Sequence, residues 1–204
     1  MLQQTQVSRV EQYYGKFLLQ YPTIRDLAVA APAQVREAWQ GLGYYRRASN
    51  LHRLAISIME ERNGIMPESV QELERLPGVG RYTAGAVATF AFEQAEPAVD
   101  TNVGRVIRRA FFSPRARVTE KRIWRLAKTL VPRKGKPAWT FNQAIMELGA
   151  LVCTARIARC GECPVRSACR SGQKNLTTEA RNTRRLHGMR LSRASDNLHQ
   201  EKRR

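Results

Sequence analysis

Leu76-Pro77-Gly78-Val79-Gly80-Arg81-Tyr82-Thr83-Ala84 is the stretch on which the fold turns. Leu73 and Leu76 close one helical pattern, and Ala84, Val87, Ala88 and Ala91 carry another away from it on one face. Gly78 and Gly80 flank a single apolar residue, so the backbone can bend sharply and approach a ligand closely. The second helix presents its N–H groups and positive dipole end at this turn. Together they predict a seat for a DNA phosphate that reads no base sequence, with Val79 plugging the space between the helices. Gly-x-Gly alone would describe any tight turn between two helices; the whole run is far more specific.

Working outward, helical spacing dominates. Val35, Ala38, Trp39 and Leu42 recur at helical intervals, as do Leu51, Leu54, Ala55 and Ile58. Alternating patterns are rare, so the predicted fold class is all-α. Breaks are expected at Tyr21-Pro22, Ala31-Pro32, Gly41 to Gly43, Gly64 to Pro67, Leu76 to Gly80 and Glu96-Pro97. Trp39, Tyr45 and Trp124 are assigned to the core.

The 204 residues hold 35 Lys and Arg against 17 acids, a net charge of +18, with 43% hydrophobic residues. That composition supports a proper core and implies a polyanionic partner, nucleic acid first among them. A generic RNA binder would satisfy the charge equally well. Residues 171–204 carry nine basic and three acidic residues and few apolar ones, and are expected to be a disordered basic tail. Their +6 leaves +12 on residues 1–170, so the folded part is basic by itself. No run of about 18 apolar residues suggests a membrane span, and Met1-Leu2-Gln3-Gln4 lacks the features of a signal peptide.

Cys153, Cys160, Cys163 and Cys169 are all the cysteines in the chain, spaced C-x6-C-x2-C-x5-C. Such clustering argues for metal rather than disulfides, and for a reducing compartment. Four thiolates suit zinc or a [4Fe–4S] cluster. Zinc sites usually show two C-x2-C pairs, and only one is present. Arg156, Arg159, Arg166 and Arg170 lie among the cysteines, to face DNA or to offset the charge of the thiolates.

Several separated blocks now agree. Met1 to Val7, Gly41-Leu42-Gly43-Tyr44-Tyr45 with Arg47, Asn50, Leu51 and His52, Leu76 to Ala86, Val99-Asp100-Thr101-Asn102-Val103 with Arg105-Val106, and Phe141 to Ala150 leading into Cys153 resemble the adenine DNA glycosylase branch of the helix-hairpin-helix base-excision glycosylases. The likeness covers about residues 1–170. It implies a two-lobed, all-helical body: a six-helix barrel over 1–94 and an iron–sulfur lobe over 95–170. The cysteine spacing matches that family's iron–sulfur loop without a gap, which favours the [4Fe–4S] cofactor. The implied partner is double-stranded DNA containing mismatched adenine, bound by a monomer in the cytoplasm at the nucleoid. The adenine, opposite guanine or 8-oxoguanine, would be swung out of the stack for hydrolysis of its N-glycosidic bond.

The resemblance also assigns residues. Asp100 reads either as an N-cap or as the carboxylate that stabilises positive charge on the deoxyribose, and both can hold together. Asn102 belongs to the same catalytic block. Tyr82 stands where the endonuclease III-like enzymes carry a Schiff-base lysine; a phenol forms no imine, so a simple hydrolase is implied. Gln4 and Tyr44 match residues that wedge into the base stack. Thr5 and Leu42 match contacts to the base opposite adenine, and Leu2 and Gln143 match the adenine pocket. For Leu2 and Leu42, plain packing is the competing reading.

One departure counts. The family's general acid is a glutamate two positions before the residue matching Met1, so the expected true start lies upstream. Glu37 matches no family acid, and Glu147, the other inner candidate, precedes Leu148-Gly149, where structural acids are common. The alternatives are a non-catalytic mismatch binder, or a T:G glycosylase of the same fold. The family's C-terminal domain for recognising 8-oxoguanine has no match either.

Overall fold

The computed structural model describes residues 1–3, 5–133 and 135–173. Among these it contains helices and turns and no strand, as the patterning predicts. The expected tail, apart from residues 171–173, lies outside the described residues, as does Gln4.

The chain divides into two compact units, Met1–Ala88 and Thr89–Arg204. In the first, α1 (Val7–Gln20) is followed by the short helices α2 (Ile24–Val29) and α3 (Pro32–Ala38), then α4 (Arg46–Arg62). Proline and caps set these boundaries. Thr23 and Asp26 form a reciprocal capping box at the start of α2. Pro32 occupies the first turn of α3, where its missing N–H costs nothing. Asn63 ends α4 in the left-handed region at φ 51°. Val10, Phe17, Tyr21, Leu27, Val35, Trp39, Leu42, Ala48 and Ala55 form one core cluster. In it Trp39 meets Phe17 edge to face at 5.7 Å.

Two expectations are corrected here. Trp39 and Leu42 are buried, but they lie beyond α3, which ends at Ala38. Gly41, at φ +93°, turns the chain so that a loop, not a helix, delivers Leu42 to the core. Tyr45 is 38% exposed and so is not core; Trp124 is half-buried.

A second cluster, Leu54, Ile58, Leu73, Leu76, Ala84 and Ala88, packs α4 against α5 (Val70–Leu73) and α6 (Arg81–Phe92). This places the glycine turn on a fixed base. Ala91, expected on the same face, is exposed.

The division between the units falls within α6. In the second unit, α7 (Thr101–Phe111), α8 (Glu120–Leu130) and α9 (Gly135–Glu147) enclose Val103, Ile107, Phe112, Ile123 and Ala127. A wider helical turn, Leu148–Val152, continues α9 into the cysteine loop, and a short 3₁₀ turn, Arg166–Ala168, precedes α10 (Arg170–Gln173). Residues 171–173, assigned to the tail from composition, belong to that helix. Ser171 and Gly172 are buried, and Ser171 Oγ donates to the Arg109 carbonyl at 2.7 Å.

Candidate functional site: a glycine turn, a capping carboxylate and a cysteine loop

The glycine turn forms as the sequence requires. Gly78 sits at φ +75°, and a Cβ there would lie 2.5 Å from Cβ of Asn50. Backbone conformation and the neighbour on α4 thus both demand glycine. The Val79 N–H donates to the Leu76 carbonyl at 3.1 Å, and Val79 packs partly buried on the second core cluster. Gly80 is different: a Cβ there would meet open space. Gly78 and Gly80 are both exposed, so the turn offers its backbone to solvent at the start of α6. Tyr82, on the first turn of that helix, is half-buried.

A second surface of the first unit gathers residues far apart in sequence. Leu2 is 59% exposed and Tyr44 65% exposed, while Thr5 is half-buried. Tyr44 is a non-glycine residue at φ 48°, between Gly43 at φ 69° and α4. Such backbone is costly and is held only where surroundings determine it. Leu42 is 5% exposed and offers the least surface of the residues matched to the opposite base.

In the second unit Asp100 caps α7. Its Oδ1 accepts the Val103 N–H at 2.7 Å and its Oδ2 accepts Asn102 Nδ2 at 2.9 Å. The carboxylate is therefore held at both oxygens, half-buried at the positive end of a helix. The chain of contacts continues. Asn102 Oδ1 accepts Arg105 Nη2 at 2.8 Å, and Arg105 Nε donates to the Cys153 carbonyl at 2.8 Å. Arg105 Nη2 also donates to the Gly149 carbonyl at 2.6 Å. Gly149 must be small, since its Cβ would come 2.7 Å from that of Asn102. Burial, and then Arg109 beside it, lowers the affinity of the Arg105 guanidinium for its proton. The sequence reading missed Arg105 and Arg109 as organisers, because their partners are mostly backbone carbonyls over 40 residues away.

Gln143, on α9, is half-buried and donates to Glu147 Oε1 at 2.8 Å. Its neighbour Asn142 is fully buried and fully used. It accepts the Ala98 N–H at 2.8 Å and donates to the Glu96 and Ala138 carbonyls. This fixes the strap leading into Asp100.

All four cysteines line one cavity, together with residues that include Val152, Ala158, Arg109 and Arg166. Arg109 Nη1 reaches Cys153 Sγ at 3.4 Å and donates to the Thr154 carbonyl at 2.7 Å. The Gly172 N–H donates to Cys169 Sγ at 3.3 Å. Burial pushes the Cys160 thiol up, and so do the other three cysteines. Four thiols lining one cavity, with N–H donors on two sulfurs, form a donor set fit for a thiolate-bound metal group. Among the described residues no three or more His, Cys, Asp or Glu side chains close on a single ion position. Arg156, Arg159, Arg166 and Arg170 are exposed around the loop.

A solvent-facing glycine turn in one unit, and a carboxylate-capped helix hydrogen-bonded to a cysteine loop in the other, fit the class shown by the chain's relatives, a helical DNA glycosylase fold. A solved thermostable thymine-DNA glycosylase superposes with a TM-score of 0.78 at 31% identity, over 85% of this chain and 80% of that one. Residues 1–132 match the HhH-GPD superfamily of base excision DNA repair proteins, and the chain belongs to that family. It is 46% identical over 178 residues to the adenine DNA glycosylase of Homo sapiens, covering 85% of this chain and 32% of the relative. It is 47% identical over 170 residues to that of Mycolicibacterium smegmatis, covering 83% and 57%. The chain thus spans about a third to somewhat over half the length of these relatives.

Proposed function

We propose that this chain carries the excision module of a monofunctional adenine DNA glycosylase. The module hydrolyses the N-glycosidic bond of adenine mispaired with guanine or 8-oxoguanine in double-stranded DNA. The observation that carries the reading is Asp100, a half-buried carboxylate gripped at both oxygens. Identities of 46% and 47% to adenine glycosylases support adenine over thymine.

In this reading the Gly78–Gly80 turn and the start of α6 hold a phosphate through backbone N–H groups. Tyr44 and Gln4 fill the gap left by the extruded nucleotide; Thr5 and Leu42 border the opposite base. Leu2 and Gln143 contact the adenine, Gln143 through an amide that offers both a donor and an acceptor. As the glycosidic bond breaks, positive charge develops on the deoxyribose and the Asp100 anion stabilises it. Asn102 keeps that anion aimed. Tyr82 has no amine, so water rather than the enzyme takes the sugar carbon, its hydroxyl staying there and its proton ending on the departing adenine.

Cys153, Cys160, Cys163 and Cys169 would hold a [4Fe–4S] cluster. Held by these four thiolates, it would cross-link the loop, and Arg105 would keep its hold on the Cys153 carbonyl. We assign the module to the cytoplasm, acting on chromosomal DNA as a monomer.

Base release from A:8-oxoG, A:G and T:G duplexes tests the reading under single-turnover conditions. Adenine should leave the first two and thymine should stay. Thymine release would move the chain to the T:G class; tight mismatch binding with no release of either base would make it a binder.

A further inference from the structure

The Arg47 side chain is heavily engaged within the first unit. Its Nη1 donates to the Met1 and Gln3 carbonyls, each at 2.5 Å. Its Nη2 donates to Thr5 Oγ1 at 2.8 Å, to the Leu42 carbonyl at 3.1 Å and to the Gly43 carbonyl at 3.3 Å. The same guanidinium lies over the rings of Trp39 and Tyr44, 5.5 and 5.6 Å from their centroids. Its backbone N–H donates to the Tyr44 carbonyl at 2.9 Å. Its Nε is buried and, among the described residues, finds no hydrogen-bond partner. One cation thus joins two segments some 40 residues apart in sequence. These are the opening strap, with Leu2 and Thr5, and the Gly41–Tyr44 loop, whose backbone is left-handed at Gly41, Gly43 and Tyr44.

The neighbours close the same seam. Arg9 Nη2 donates to the Gly41 carbonyl at 2.9 Å, and Gln3 Nε2 donates to Thr83 Oγ1 on α6 at 2.9 Å. A surface arginine serving phosphate would keep its fork toward solvent. Here the fork is spent on four backbone carbonyls and the Thr5 hydroxyl, and the Gly43 carbonyl also accepts Trp39 Nε1. Burial lowers the proton affinity of the guanidinium, the signature of a cation taken out of water.

We propose that Arg47 is a positioning residue for mismatch recognition. It touches no DNA, but locks the opening strap and the Tyr44 loop into one rigid reading surface, with the Tyr44 ring held in its exposed, positive-φ pose. The proposal rests on the reading above that Tyr44 and Thr5 meet the duplex. Lysine cannot replace arginine in this role, because a single ammonium lacks the planar fork that serves both segments at once.

The test compares Arg47→Lys, Arg47→Gln, Tyr44→Ala and the Arg47→Gln/Tyr44→Ala double variant of the full chain. The first readout is equilibrium affinity for an A:8-oxoG duplex relative to a matched A:T duplex. Both Arg47 variants should lower that ratio about tenfold, the effect of losing roughly one charged hydrogen bond's worth of preorganisation. Affinity for the matched duplex should stay unchanged. The double variant should lose less than the product of the two single effects, because Arg47 acts in part through that ring. Equal losses on both duplexes, or effects that multiply in the double variant, would overturn the role.

The second readout needs no DNA. Amide hydrogen exchange in segments 1–6 and 41–47 should accelerate about tenfold in Arg47→Gln, while α4 amides around Ile58 keep their protection. Unchanged exchange in both segments overturns the clamp whatever the binding results. Unchanged mismatch preference in Tyr44→Ala, with accelerated exchange in Arg47→Gln, would instead refute the wedge role of Tyr44, and with it the recognition half of this proposal.

Discussion

The starts of α6 and α7 are both helix N-termini, and the two are finished in opposite ways. α6 opens from a turn whose two glycines are exposed and whose Gly80 faces open space. α7 opens on a carboxylate that already accepts the Val103 N–H. A helix N-terminus attracts an anion either way. Where the chain supplies its own anion, the end is no phosphate seat and the carboxylate is free for other chemistry at its remaining lone pairs. Where it supplies only glycine, the anion must come from outside. On the proposed function, one motif of backbone physics serves as a binding device in one unit and as a catalytic device in the other.

Several changes would break or sharpen that contrast. The largest effect is expected in the cysteine cavity, whose Cys153 carbonyl ends the Asp100 network. Cys160→Ser should abolish the absorption at roughly 400 nm expected of an iron–sulfur protein. Iron and acid-labile sulfide assays on the purified chain should fall together, whereas a zinc site would show neither signal from the start.

Next come the two glycines of the turn, which should separate. Gly78→Ala meets both a left-handed backbone and Asn50, and should cost about 1–3 kcal/mol of stability in denaturant unfolding. Gly80→Ala has room and should leave stability within about 0.5 kcal/mol. It should still weaken binding of any duplex several-fold, matched or mismatched, by keeping a phosphate from the backbone. If Gly80→Ala binds DNA as well as the parent, α6 is not the seat.

At α7 the cap itself can be weighed. Asp100→Ala should destabilise the protein by about 1 kcal/mol and Asp100→Asn by only a few tenths, since asparagine caps as well as aspartate.

The smallest effect lies beside the turn, at Glu72 in α5. Hydrogen bonds from Ser69 and Arg62 hold its carboxyl below the usual range. The folded state therefore binds this proton less readily than the unfolded chain, so the contribution is present above pH 4.5 and is lost as the pH falls further. Glu72→Gln should flatten the acid side of the stability profile slightly and leave it unchanged near neutrality. Side-chain exposure of 41% keeps the effect small.

Much of this was legible in the sequence because local rules produce it. Pro and Gly breaks, the glycine turn, the Asp100 cap and the cysteine spacing are each written within a few consecutive residues. What stayed hidden is held by side chains reaching distant backbone. Arg47 spans to Met1, Arg105 to Cys153, and Asn142 to Glu96, and carbonyl acceptors have no residue signature. The periodicity through Trp39 and Leu42 misled for a related reason: both are buried, but Gly41 replaces the helix with a turn.

The central claim is that one anion, fixed at the head of α7, drives departure of the base, while the glycine turn merely holds the strand. Single-turnover adenine release by Asp100→Asn on an A:8-oxoG duplex, with duplex affinity measured on the same samples, addresses it most directly. The account predicts release slowed by about 10²–10³-fold or more with affinity unchanged. Release at the parent rate, or a loss of release matched by an equal loss of affinity, would contradict it.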